Sequence, residues 1–178
     1  MSFEGALAIW VALALIALAL LVWAWIRRSR RDRRFTVPVG DAPTGATVLA
    51  AFPGLYVATT AHEAPLERLA IKSLGFRSRV DIVVTDAGLV LDLPGQPRIF
   101  LTPDRIVDVA QSTVAIDRVV ERDGLVRIAW RIDLTPVDGT QNNGTTIVDS
   151  YLRPQNASAR AVVDALRPLT TTPTGTDA

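Results

Sequence analysis

Two hydrophobic rhythms divide the chain. From Gly5 to Ile26 the sequence reads GALAIWVALALIALALLVWAWI, an apolar run of 22 residues without a charge. Beyond Gly54 the rhythm becomes mostly period two, the signature of half-buried strands. Leu55–Thr60 (LYVATT) is a short strand candidate. Val80, Ile82 and Val84 alternate with Arg79, Asp81, Val83 and Thr85, and after the turn signal Asp86-Ala87-Gly88 the alternation resumes with Leu89, Leu91 and Leu93. Pro94-Gly95 breaks it. Arg98–Leu101, Ile106–Gln111 and Val114–Glu121 are further strand candidates, with a turn or single helical turn at Thr102-Pro103-Asp104-Arg105. Asp123-Gly124 is a hairpin signal. After it Val126, Ile128, Trp130, Ile132 and Leu134 face one way, while Arg127, Arg131 and Asp133 face the other. Pro136 to Gly144 reads as a polar loop, and Thr145–Leu152 as the last strand.

The period then changes again. Ala159, Val162, Val163, Leu166 and Leu169 form a helical stripe, with Asn156 or Ser158 as its cap and Pro168 as its limit. The pattern predicts an α+β domain, mainly β, of about seven short antiparallel strands and one amphipathic C-terminal helix. The helix covers an open end of a small barrel or bent sandwich, because a sheet must hide its apolar face and its edges.

The first apolar run predicts a transmembrane helix, since its 22 residues extend roughly 33 Å as a helix. Trp23 and Trp25 suit an interfacial belt. A cleaved signal peptide fits less well, because MSFE has no basic side chain and the apolar stretch runs straight into RRSRRDRR. Arg27, Arg28, Arg30, Arg31, Arg33 and Arg34 form a membrane-proximal basic cluster, which by the positive-inside rule predicts a single-pass protein of the plasma (inner) membrane with its N-terminus outside and its C-terminal domain in the cytoplasm. The same cluster suits anionic membrane lipids. Gly5, Ala8, Ala12 and Ala19 share one helical face and suit a homodimer through the helix. The expected organisation is a short outer N-terminus at 1–4, a span at 5–26, a basic segment and linker at 27–50, a domain at 51–170 and a disordered tail at 171–178.

Charge changes the picture of the domain. Without residues 1–34, which carry those six arginines, Glu4 and Asp32, the remainder holds 13 basic against 16 acidic residues. A mildly acidic domain is not expected to grip nucleic acid. The chain has no cysteine, which excludes disulfides, thiolate metal sites and cysteine nucleophiles. His62 is the only histidine; His62-Glu63 opens like a zinc-binding HExxH, but Leu66 stands where the second ligand would be. It reads as a solvated loop residue. Lys72-Ser73 lacks the glycine loop of a nucleotide site, and no G-x-S-x-G elbow is present. Asp117, Glu121 and Asp123 interleave with Arg118, Arg122 and Arg127, which reads as a salt-bridged hairpin. No catalytic set, cofactor or metal is expected.

The strand order and capping helix resemble the pleckstrin-homology (PH) superfold. Gly54–Thr60 (GLYVATT), Pro65–Arg79 (PLERLAIKSLGFRSR), Val84–Leu91 (VTDAGLVL) and Trp130-Arg131 sharpen the match. They resemble an actinobacterial family of single-span membrane proteins with a PH-like domain, often labelled loosely as export or transporter proteins. One span without an intramembrane charge leaves no path for a solute. The resemblance implies a membrane-anchored binding or scaffold module that recruits an unknown protein partner, and not an enzyme or transport accessory subunit. Lys72, Arg77 and Arg79 are similar to the K-x(n)-(K/R)-x-R pattern of lipid-binding PH domains, which implies an alternative role in holding anionic lipid head groups.

Overall fold

The computed structural model describes residues 3–32, 34–115, 118–119, 124–135 and 144–170, the side chains of 3–8, 25, 28–32, 114–115 and 118–119 excepted. Helix α1 (Phe3–Asp32) opens the chain. Among the described residues no helix is long and apolar enough to cross a membrane. The expected span at Gly5–Ile26 is corrected accordingly, and so is the expected single-pass placement in the plasma membrane with a cytoplasmic domain.

The β-rich remainder follows the period-two reading closely. Its strands are β1 (Phe35–Thr36), β2 (Val48–Ala61), β3 (Ala64–Arg68), β4 (Ser78–Thr85), β5 (Gly88–Asp92), β6 (Ile99–Leu101), β7 (Ile106–Ser112), β8 (Val114–Ala115), β9 (Arg118–Val119), β10 (Leu125–Leu134) and β11 (Gly144–Pro154). A 3-10 turn at Pro103–Arg105 precedes β7, and helix α2 (Ala159–Leu166), continued by a second 3-10 turn at Arg167–Leu169, closes the fold. Hydrogen-bonded neighbours follow the order β1-β10-β11-β2-β4-β5-β6, with β3 beside β2 and β7 beside β10. All these pairings are antiparallel. The result is a half-barrel with a C-terminal helix.

Alternation decides which side is inside. Val126, Ile128, Trp130 and Ile132 of β10 join Val80, Ile82 and Val84 of β4 and Leu89 and Leu91 of β5 in one core. Val162, Val163, Leu166 and Leu169 lay the helical stripe on the same core. Ser158, rather than Asn156, caps α2: its Oγ accepts the Ala161 N–H at 3.2 Å, satisfying a donor that the first helical turn leaves free.

Residues 35–50, read above as a linker, are woven into the sheet. β1 pairs with the end of β10, and the Thr135 N–H donates to the Arg34 carbonyl at 2.7 Å. Val37 is buried in the main core. Val39 bridges Ile99 of β6, the Gly40 N–H donates to the Arg98 carbonyl, and the Phe100 N–H donates to the Pro38 carbonyl. The Arg98 guanidinium spans Asp41 and Asp92 at 3.0 and 2.7 Å, and these two carboxylates hold it above its ordinary pKa. The segment thus laces β10 to β6. Its short pairs, broken by Pro38, Pro43 and Gly40, carry no period-two signal.

The 14-residue β2 is the shared element. Residues Val48–Tyr56 pair with β4 on one edge, and Gly54–Ala61 pair with β11 on the other. Gly54 stands where both pairings overlap, opposite Val80 and Pro154. A Cβ there would lie 2.9 Å from the Arg153 carbonyl oxygen, a backbone atom that cannot swing aside. We expect Gly54→Val to destabilise the domain by about 1–3 kcal/mol through overpacking and to lower the midpoint of thermal unfolding by several degrees. An unchanged melting curve would show that the strand crossing has slack.

Candidate interaction site

The excursion from β2 to β4 carries the basic residues singled out in the sequence. Leu69, Ile71 and Leu74 are buried, whereas Ala70, Lys72, Phe76 and Arg77 are exposed. Apolar side chains therefore pin the loop from beneath and leave the polar ones outside. The Leu69 N–H donates to the Thr59 carbonyl at 2.9 Å, and Arg68 Nη2 donates to the Gly75 carbonyl at 2.9 Å. Ser73 takes a left-handed conformation with φ +72°, which a small polar residue tolerates better than a branched one.

A buried polar relay reaches the same loop. Tyr56 Oη lies 2.8 Å from the Leu74 carbonyl oxygen and 2.8 Å from Thr59 Oγ1. Thr59 Oγ1 is 2.7 Å from Ser150 Oγ, which accepts the Trp130 Nε1–H at 2.9 Å. An indole only donates, a carbonyl only accepts, and each hydroxyl has one hydrogen. The bonds therefore run one way, from Trp130 through Ser150, Thr59 and Tyr56 to Leu74. Every member is satisfied, as a buried polar network requires. Burial, the largest influence, raises the Tyr56 phenol far above its ordinary range, against smaller lowering effects of Thr59 and Arg68.

The other face of the sheet holds a row of charges. Asp149, 1% exposed, lies 2.9 Å by Oδ1 from His62 Nδ1 and accepts the Glu63 N–H through Oδ2 at 3.2 Å. Arg127 stands between Asp149 and Asp108, 3.7 Å from the former and hydrogen-bonded to the latter. Glu63 is left-handed, with φ +59°. Asp149 thus latches the turn between β2 and β3, and a buried carboxylate needs such partners. His62, expected as a solvated loop residue, is committed to this latch. Tyr151, beside Asp149 on β11, is raised above an ordinary phenol by burial first and by the Asp149 charge second.

Two apolar grooves flank Phe35. One, of about 230 Å³, is lined by Phe35, Ala61, Glu67, Leu69 and Ile147 among others. The second, of about 560 Å³, is lined by Phe35, Val37, Val39, Ala70, Lys72 and Pro97 among others. Lys72 is the only one of the three singled-out cations to line a described cavity; Arg77 lies on the loop and Arg79 is exposed at the start of β4. Lys72, Arg77 and Arg79 therefore share one segment without converging on a described pocket. Among the described residues none of the three takes part in an ion pair.

The arginine cluster is partly described. Arg27 stacks on Trp23 one helical turn away, 5.5 Å from the ring centroid, and Arg34 is exposed. Arg33 and the side chains of Arg28, Arg30 and Arg31 lie outside the described residues, as do Asp117, Glu121, Arg122, Asp123, the side chain of Arg118, most of the expected 136–144 loop and the expected tail. The Asp149–Arg127–Asp108 row was not foreseen. Its one local signal was an aspartate at an outward-facing strand position, which is ordinarily solvated.

The family described as Bacterial PH domain-like matches residues 35–167. No curated protein matches the chain. The matched range starts at β1 and ends with α2, so it includes the segment woven between β10 and β6.

Tyr56→Phe removes the donor to the buried Leu74 carbonyl, and a loss of about 1–3 kcal/mol in urea unfolding is expected. A phenol with a raised pKa keeps its proton in the folded chain, whereas the unfolded chain releases it near pH 10. The unfolded state then binds fewer protons, so stability should be level with respect to both tyrosines below about pH 10 and fall above it. Denaturation followed from pH 8 to 11 checks this; early phenolate absorbance in the folded protein would contradict it. Asp149→Ala should cost a similar 1–3 kcal/mol and speed hydrogen exchange of the Glu63 amide, which a purely surface aspartate would leave unaltered.

Proposed function

We propose that this chain, which belongs to the bacterial PH domain-like family, is a non-catalytic binding module that recruits a protein partner through the loop between β3 and β4. The observation that carries this reading is the combination of a clamped loop and basic charge that stays exposed. Buried Leu69, Ile71 and Leu74 and the Tyr56 bond hold the loop, so little conformational freedom remains to be lost on binding. Lys72, Arg77 and Arg79 stay exposed, with no acidic residue between Leu69 and Val80. The commitment of His62 and Asp149 to the latch supports a structural role for the groups that could otherwise serve as an acid–base pair.

A second reading rests on the same cations. Three exposed basic groups suit the phosphates of anionic lipid head groups through charge-assisted hydrogen bonds. Their spread over loop and strand, outside any common described cavity, favours the protein reading. Two measurements separate them. Affinity purification of the full chain should recover one reproducible partner, and reversing the charges at Lys72, Arg77 and Arg79 should abolish that recovery. Flotation with phosphatidylcholine vesicles containing phosphatidylglycerol should be unchanged by the same reversal; a loss of flotation would install the lipid reading instead.

A further inference from the structure

The basic loop also carries an apolar side chain that the fold does not use. Phe76 is 87% exposed, the most exposed large hydrophobic residue among those described. It follows Gly75, whose carbonyl is held by Arg68, and precedes Arg77. Leu74, two residues before it, is buried and tied to Tyr56. The benzyl group is therefore presented by a backbone fixed from both the core and β3. Phe76 contributes almost nothing to the core, so folding alone gives no reason for an aromatic residue at this place.

We propose that Phe76 is a knob that enters an aromatic-sized pocket on an acidic protein surface, with Lys72, Arg77 and Arg79 pairing with carboxylates around it. The proposal rests on the protein-recruiting reading above and names its contact. Charge decides the rim. The segment from Leu69 to Val80 holds three cations and no acid, and the nearest acidic positions along the chain are Glu67 and Asp81. Opposite charge around an apolar centre sets orientation and rejects other surfaces. Size decides against a bilayer. A single myristoyl chain alone gives only marginal, reversible membrane attachment, and a benzyl group is roughly half its length in carbon. A pocket suits a single rigid aromatic better, since aromatic and arginine side chains in fully desolvated pockets dominate protein interfaces.

The test places a photoreactive benzoyl-phenylalanine at position 76 of the full chain in its own cells, with Leu49, exposed on β2 outside the loop, as the control position. A discrete protein adduct is expected from position 76 and not from position 49. The crosslinked peptide should map to a pocket rimmed by Asp or Glu. Charge reversal at Lys72, Arg77 and Arg79 should lower the adduct at least about tenfold, and Phe76→Ala should lower recovery of the same partner at least about tenfold while melting like the parent chain. An adduct to lipid, an adduct indifferent to charge reversal, or the absence of any protein adduct would overturn the proposal. If affinity purification still yields a partner that Phe76→Ala leaves in place, the knob fails and the recruiting reading stands; if no partner is recovered, both fail.

Discussion

The fold depends on one strand being shared by two halves of the sheet. β2 gives one edge of its first part to β4 and the opposite edge of its second part to β11. At their overlap its backbone must carry partners on both sides while the sheet bends. Gly54 occupies that place because the Arg153 carbonyl comes too near for a Cβ. Everything on the β4 side, through β5 and β6, reaches the β10–β11 side through this strand, through the woven segment at 35–41 and through the common core.

Buried polar groups then fix what leaves the shared strand. Asp149 on β11 latches the turn at His62 and Glu63, where the excursion begins. The Trp130–Ser150–Thr59–Tyr56 relay ends on Leu74, near where it finishes. The two networks use opposite faces of β11, because Asp149 and Ser150 are neighbours and successive strand residues point to opposite sides. One strand therefore holds both ends of the excursion. The loop they pin can display Lys72, Phe76 and Arg77 without being loose, which links core packing to the recognition proposed for this surface.

Alternation made the central strands legible. Val126, Ile128, Trp130 and Ile132 inside, with Arg127, Arg131 and Asp133 turned the other way, stand as their pattern required. So do the α2 stripe and its cap. The pieces that escaped are those without a period. β1 has two residues, β3 contains Pro65, and the woven segment pairs one or two residues at a time. Val114–Glu121, read as one strand, holds the short β8 and β9 hairpin. Part of the candidate surface was visible, because Lys72, Arg77 and Arg79 stand out in a chain with a single lysine. Phe76 did not stand out, since nothing local distinguishes an exposed aromatic from a buried one.

By itself the sequence determined which residues would be inside the sheet and that a helix would cover it, because period and burial are tied through backbone geometry. It also determined the cluster of positive charge beside the apolar N-terminal run, but it overreached in reading that run as a membrane span. Only the tertiary structure decided that residues 35–41 close the sheet, that His62 belongs to Asp149, and that Phe76 stands out while Leu74 is buried. Each of these depends on groups far apart in the chain, His62 and Asp149 being 87 positions apart, and a local pattern does not encode which distant partner arrives.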